Sequence, residues 1–122
     1  MTHTTTAQRV VGDYYDILAG DGLDRDALRA ILAPDLLFEG PVAGQRVGAE
    51  AFVTGVAGFV ETCESLDFTQ QMFTDDGAAA VYDARMPGGQ VRFAEFFEVR
   101  GDRIHALRLM FDPTDYRAKG GR

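Results

Sequence analysis

From Val91 to Arg100 the chain alternates between two faces. Val91, Phe93, Phe97 and Val99 fall on one side of a strand, while Arg92, Ala94, Phe96, Glu98 and Arg100 fall on the other. Glu95 stands in the middle of the apolar side. A lone ionised carboxylate there costs several kcal/mol, so the group must be hydrogen-bonded, protonated or lining a cavity. Each of these perturbs its pKa, and a carboxyl that holds a proton near neutrality can donate to or take from a substrate. The alternative is a buried glutamate satisfied by a neighbouring hydroxyl, with a structural task only.

The neighbour depends on the preceding turn. If Gly88-Gly89 is a two-residue hairpin turn, Tyr82 lies across from Glu95, Ala84 across from Phe93 and Met86 across from Val91. Asp83 and Arg85 then pass to the other face as an exposed charge pair. A three-residue turn reverses this and brings Asp83 inward. His105 has the parity of Leu107, Leu109 and Phe111, so it is a candidate inward proton shuttle; a satisfied or partly exposed histidine at a strand start is the alternative. Other chemistry has few carriers. Cys63 is the only cysteine, on the apolar face of a helix, and is expected to be a buried thiol. His3 and His105 stand at opposite ends of the chain, so no metal site and no cofactor are expected.

The elements that must position Glu95 follow from periodicity. Val10, Val11, Tyr14, Ile17 and Leu18 have helical spacing from Ala7, with Thr6 as N-cap, up to the Gly20-Asp21-Gly22 break. Asp24 can cap a short second helix through Ala27, Leu28, Ile31 and Leu32, which Pro34 stops. Leu36 to Glu39 reads as a short strand ended by Gly40-Pro41, followed by a glycine-containing loop. Phe52, Val53, Val56, Phe59, Val60 and Cys63 form the apolar stripe of a third helix. Tyr15 cannot share the direction of Tyr14 on its helix and is expected in the core or an interface.

After Ser65 the period becomes 2. Segments Leu66 to Phe73, Ala78 to Met86, Val91 to Arg100 and Arg103 to Phe111 are joined by Asp75-Asp76-Gly77, Pro87-Gly88-Gly89 and Gly101-Asp102, the signals of an antiparallel meander. Helices first and hairpins second predict an α+β domain with three N-terminal helices on one face of a curved antiparallel sheet. The segment from Pro113 to Arg122 lacks periodicity and reads as a mobile tail.

At 122 residues and 46% hydrophobic, the chain is read as one domain with one core. The longest uncharged run, Ala51 to Val60, is far below the ~20 residues of a membrane span, and no leader pattern appears, so a cytoplasmic location is expected. The net charge of −7 argues against a nucleic-acid partner. Eleven of the twelve basic residues are arginine, a bias usual in GC-rich bacterial genomes.

Thr6-Ala7-Gln8, Leu32-Ala33-Pro34-Asp35, Phe38-Glu39-Gly40-Pro41-Val42 and Leu107-Arg108-Leu109-Met110-Phe111-Asp112-Pro113 resemble the nuclear transport factor 2-like superfamily, and within it SnoaL-like proteins and ketosteroid isomerases. The resemblance spans residues 7 to 112. It implies a cone-shaped, cystatin-like roll around an apolar pocket. It places Tyr14 at the isomerase tyrosine that donates to the dienolate oxygen, and Glu95 at the protonated acid beside it. The isomerase base falls at Gly40, with Glu39 pointing away. The limonene epoxide hydrolases also resemble the chain, but their proton-donating aspartate falls at Leu109, and the tyrosine and asparagine of their first strand fall at Phe38 and Gly40.

Two functions are therefore expected as alternatives. In one, Tyr14, Tyr82 and Glu95 perform acid/base chemistry on an apolar ketone or polyketide-like substrate, by isomerisation, aldol-type cyclisation or dehydration. Phe38, Phe59, Phe93, Phe97, Leu109 and Phe111 would line that pocket. In the other, the domain binds an apolar ligand without catalysis. Phe96, facing away from the helices, suggests a homodimer through the outer sheet face in either case.

Overall fold

The computed structural model describes residues 5–122, so the sequence expectation for His3 lies outside the described residues. The order is α1 (Thr6–Ala19), α2 (Arg25–Ala30), β1 (Leu32–Gly40), β2 (Gly44–Val47), α3 (Ala49–Thr62), β3 (Ser65–Phe73), β4 (Gly77–Met86), β5 (Gly89–Arg100), β6 (Arg103–Met110) and α4 (Pro113–Ala118). Six strands form one curved, unclosed sheet in the order β2-β1-β6-β5-β4-β3, with helices packed on one face. This is the expected α+β roll.

The helix caps explain the helix starts. Thr5, one residue before the expected cap, accepts from the Gln8 N–H, and Asp24 accepts from the Ala27 N–H. Along α1 the buried residues are Ala7, Val10, Val11, Tyr14, Tyr15 and Leu18, a stripe two residues wide that lies in the concavity of the sheet. Phe52, Val53 and Val56 anchor α3 in the same core.

Four expectations are corrected. The sheet is mixed, because β1 runs parallel to β6 with Phe38 beside Leu107. Helix α2 ends at Ala30, and Leu32 to Asp35 already belong to β1; Pro34 is tolerated there because pairing with β6 is interrupted between Leu32 and Leu37. The loop after Pro41 contains strand β2, which pairs with β1 through four residues. The expected tail folds: Asp112 accepts from the Thr114 and Asp115 N–H groups, Pro113 opens α4, and Tyr116 is buried. Beyond it, the Gly88 N–H donates to the Lys119 carbonyl and the Tyr116 hydroxyl to the Arg122 carbonyl, tying this segment to the β4–β5 turn and to α4.

The β4–β5 turn is Pro87-Gly88, with Met86 opposite Gly89, Ala84 opposite Val91 and Tyr82 opposite Phe93. The expected pairing is displaced by two residues, which preserves parity. Tyr82 and Glu95 therefore still face inward, one step diagonal to each other, and Asp83 and Arg85 face out. Those two do not pair with each other: Asp83 takes Arg92 at 2.9 Å and Arg85 takes Glu64 at 3.5 Å.

Candidate active site in the cone

Glu95 is the sole buried charged residue among those described, 1% exposed. Strand β5 places it between Phe93 and Phe97, and the concavity filled by α1 brings phenols to it. The Tyr82 hydroxyl donates to Glu95 Oε1 at 2.6 Å and the Tyr15 hydroxyl donates to the same oxygen at 3.1 Å. Among the described residues no side chain bonds Oε2. Glu95 lies on the wall of a cavity of about 360 Å³, at the small end of the range of small-molecule sites.

The electrostatics are those of a carboxyl held by neutral donors. Burial raises the Glu95 pKa from 4.5 to about 7, opposed by hydrogen bonds from the tyrosines, Tyr82 foremost. Burial first, and the Glu95 charge second, push the Tyr14, Tyr15 and Tyr82 phenols far up, so all three stay protonated donors. Tyr14 acts on Glu95 through charge and, least of the three tyrosines, through a hydrogen bond, and its side chain lines the cavity.

The structure brings together most of the residues singled out from sequence. Tyr14, Tyr82, Glu95, Phe38, Phe59, Phe93, Leu109 and Phe111 line one cavity, with Phe52 and Val56 of α3 completing its apolar wall. Phe97 does not line it. It lies in the core, edge-on to Tyr14 and Tyr15 at centroid distances of 5.5 and 5.9 Å. His105 is half-buried and is not among the lining residues, because a register shift between Glu98 and Val99 turns Ile104 inward instead. Cys63 is half-buried at the end of α3; burial raises its thiol, which donates to the Ser65 carbonyl.

Two groups were missed. Tyr15 lies in the core as expected, but its hydroxyl also holds Glu95, a role that the width of the α1 stripe could have signalled. Tyr116, Arg117, Gly121 and Arg122 close one side of the cavity, signalled by the Asp112-Pro113 helix start. Gly40 lines the cavity too, and a Cβ added there would meet the Phe38 ring at 3.3 Å. Glu39 points out and meets Arg108 at 3.3 Å, so among the described residues Glu95 is the one side-chain carboxylate on the cavity wall.

Helices packed on one face of a curved, unclosed sheet, around an apolar cavity with one buried acid, define the architectural class. Within it, this chain belongs to the SnoaL-like domain family, which matches residues 11–107. No protein of curated function matches the sequence. Among solved structures, a Kribbella flavida protein is similar with a TM-score of 0.84 at 24% identity, over 93% of each chain. A steroid delta-isomerase from Pseudomonas aeruginosa gives 0.75 at 18% identity, over 90% of this chain and 82% of its own. An LEH-like epoxide hydrolase from M. tuberculosis gives 0.70 at 21% identity, over 95% of this chain and 90% of its own. The fold is thus shared by proteins of different activity, and the site must carry the functional argument.

Proposed function

We propose that the protein is a cofactor-independent acid/base enzyme acting on an apolar carbonyl compound, with Glu95 as the proton-transferring group. One observation carries this: Glu95 lines an apolar cavity with two phenols holding one of its oxygens, while among the described residues no side-chain hydrogen bond takes the other. Protonated, the carboxyl donates a hydrogen bond to a substrate carbonyl and stabilises the oxyanion as it forms. Ionised, it takes a proton from the carbon next to that carbonyl. A pKa of about 7 makes both forms accessible near neutral pH. Tyr14, on the cavity wall, serves as a second donor to the oxyanion, and Tyr82 and Tyr15 hold Glu95 in place. Isomerisation, cyclisation and dehydration all use this step.

The test is hydrogen–deuterium exchange at the α-carbon of apolar ketones in D₂O, followed by proton NMR. Catalysed exchange that disappears in Glu95→Gln supports the reading; exchange no faster than in buffer, or unaffected by the substitution, rejects it. The second reading, a non-catalytic binding domain, is favoured by Gly40 at the position where the resembling isomerases carry a base, with the Phe38 ring against it. Ligand binding that survives Glu95→Gln without any exchange would support it.

We also propose that two copies pair through the outer sheet face. Phe96 is 46% exposed there, Met110 on the neighbouring strand β6 is 62% exposed, and Met72 on β3, one strand beyond β4, is 61% exposed, an apolar surface that a symmetric partner would cover. Light scattering at micromolar concentration is expected to give twice the 13.3 kDa of the chain. Phe96→Glu should return the monomer, and a monomeric parent protein rejects the assembly.

A further inference from the structure

The cavity has one charged end besides Glu95, and that end is cationic. Arg117 and Arg122 are lining residues, both on the segment that closes the cone. Arg122 is offset by Glu61 at 3.2 Å, whereas Arg117 makes no ion pair among the described residues; Asp115, its acidic neighbour, is taken by Lys119 at 3.1 Å. A second uncompensated guanidinium comes from another element. Arg46 on β2 is paired across from Phe38, so both side chains lie on the cavity side of the sheet. Its Nε donates to the carbonyl of Ala43, a lining residue, at 3.2 Å. The chain as a whole carries −7, yet α4 puts an arginine without an ion pair among the lining residues, and β2 puts another beside the lining loop, held to the Ala43 carbonyl but not itself on the cavity wall.

Arginine stems can cover apolar surface without any use for their charge. Against that stands the composition of the wall: between the rim and Glu95 the cavity presents Val42, Phe38, Phe52, Val56 and Phe111, which select for no charge. A molecule filling it would meet apolar side chains along its body, a proton donor at the inner end and guanidinium groups at the outer end. We infer that the substrate is an apolar carbonyl compound with an anionic head group, carboxylate or phosphate, which Arg117 and Arg46 hold at the mouth while the carbonyl reaches Glu95. Guanidinium suits either head group, because its fork of N–H donors matches paired anionic oxygens. This assignment of substrate class rests on the reading of Glu95 given above.

The experiment uses decanoate, decyl phosphate and decanol, which share a chain and differ in head group, with binding measured by calorimetry and by NMR shifts of cavity methyls. At least one anion is expected to bind roughly fivefold to tenfold more tightly than decanol, as a partly solvated ion pair allows, and the tighter anion names the head group. Arg46→Gln/Arg117→Gln should abolish the preference, bringing the anions to the affinity that decanol shows for the same variant, while leaving the melting temperature in place. Arg100→Gln, at the end of β5 and not a lining residue, should keep the preference. Equal affinity for all three ligands, failure of both anions to bind, or a preference that persists in the double variant overturns the inference. The Glu95 carboxyl is titrated by carbon-13 NMR in the same samples. A titration that does not respond to decanol sinks the reading of the site and the inference with it. A titration that responds while the head-group preference is absent sinks the substrate class alone.

Discussion

Asp83 and Glu95 lie on adjacent strands of one sheet and meet opposite fates. Asp83 faces outward, directly opposite Arg92, and its two oxygens accept from Arg92 Nε and the second guanidinium nitrogen at 2.9 and 3.1 Å. The hydrogen bonds from Arg92 lower its pKa, so it stays ionised. Glu95 faces inward, where its donors are neutral phenols, and burial raises its pKa to about 7. Three neighbours that cannot carry positive charge do not compensate for lost water, whereas one guanidinium does. The inner face is thus built to keep a proton available, and the outer face to hold a charge in place.

The largest expected effect is on the pH dependence of stability. With a folded pKa of about 7 and an unfolded value of 4.5, native Glu95 binds a proton through a window where the unfolded chain has released it. The slope of unfolding free energy with pH is therefore negative in that window. The contribution is full below 4.5 and is lost as pH rises through about 7; integrated, it is roughly 3 kcal/mol. Urea unfolding of the parent and of Glu95→Gln at a series of pH values gives the difference curve. Parallel curves between those limits would remove the contrast between the two faces.

Removing the donors comes next. Tyr82→Phe keeps the ring that stacks on Phe93 at a centroid distance of 5.4 Å but deletes the shorter hydrogen bond. Because that bond favours the anion, the Glu95 pKa should rise further. Above the new value, stability should fall by about 1.5–3 kcal/mol, the range for a hydrogen bond to a charged group. Tyr15→Phe deletes the 3.1 Å bond and should move both quantities in the same direction by less. Carbon-13 titration of the Glu95 carboxyl in both variants checks the order; a larger shift in Tyr15→Phe would reverse the ranking of the donors.

The two faces also differed in how openly the sequence displayed them. Alternation along β5 exposed Glu95 at once, since a period of 2 leaves no ambiguity about which side a strand residue takes. The pairing partner of Tyr82 was displaced by two residues because Pro87-Gly88-Gly89 offers two adjacent two-residue turns, and only parity is common to both. Tyr15 was hidden for a different reason. Consecutive helical residues point about 100° apart, yet a helix cradled by a curved sheet has apolar surroundings over a wider arc than that. Strand β2 carried no apolar alternation, since Gly44, Gln45, Arg46 and Val47 are all exposed and held by pairing to β1. Its arginine beside the cavity was therefore invisible until the register was known.

The smallest expected effect belongs to the outer pair. Arg92 is 62% exposed, so its attraction for Asp83 is screened by water and salt. The lowered pKa of Asp83 carries the opposite sign from that of Glu95: its contribution is present above the ordinary carboxylate range and is lost as pH falls through the folded value. Asp83→Asn should therefore leave the stability difference curve flat through the window in which Glu95 acts and alter it only in acid. Added sodium chloride should weaken the pair in the parent protein and change nothing further in the variant. Glu95, shielded from solvent ions, should keep its titration midpoint as salt is raised. If salt instead moved the Glu95 midpoint as much as it moved that of Asp83, the inner carboxyl would be in contact with bulk solvent. The distinction between a proton-holding face and a charge-holding face would then fail at its physical basis, which is desolvation.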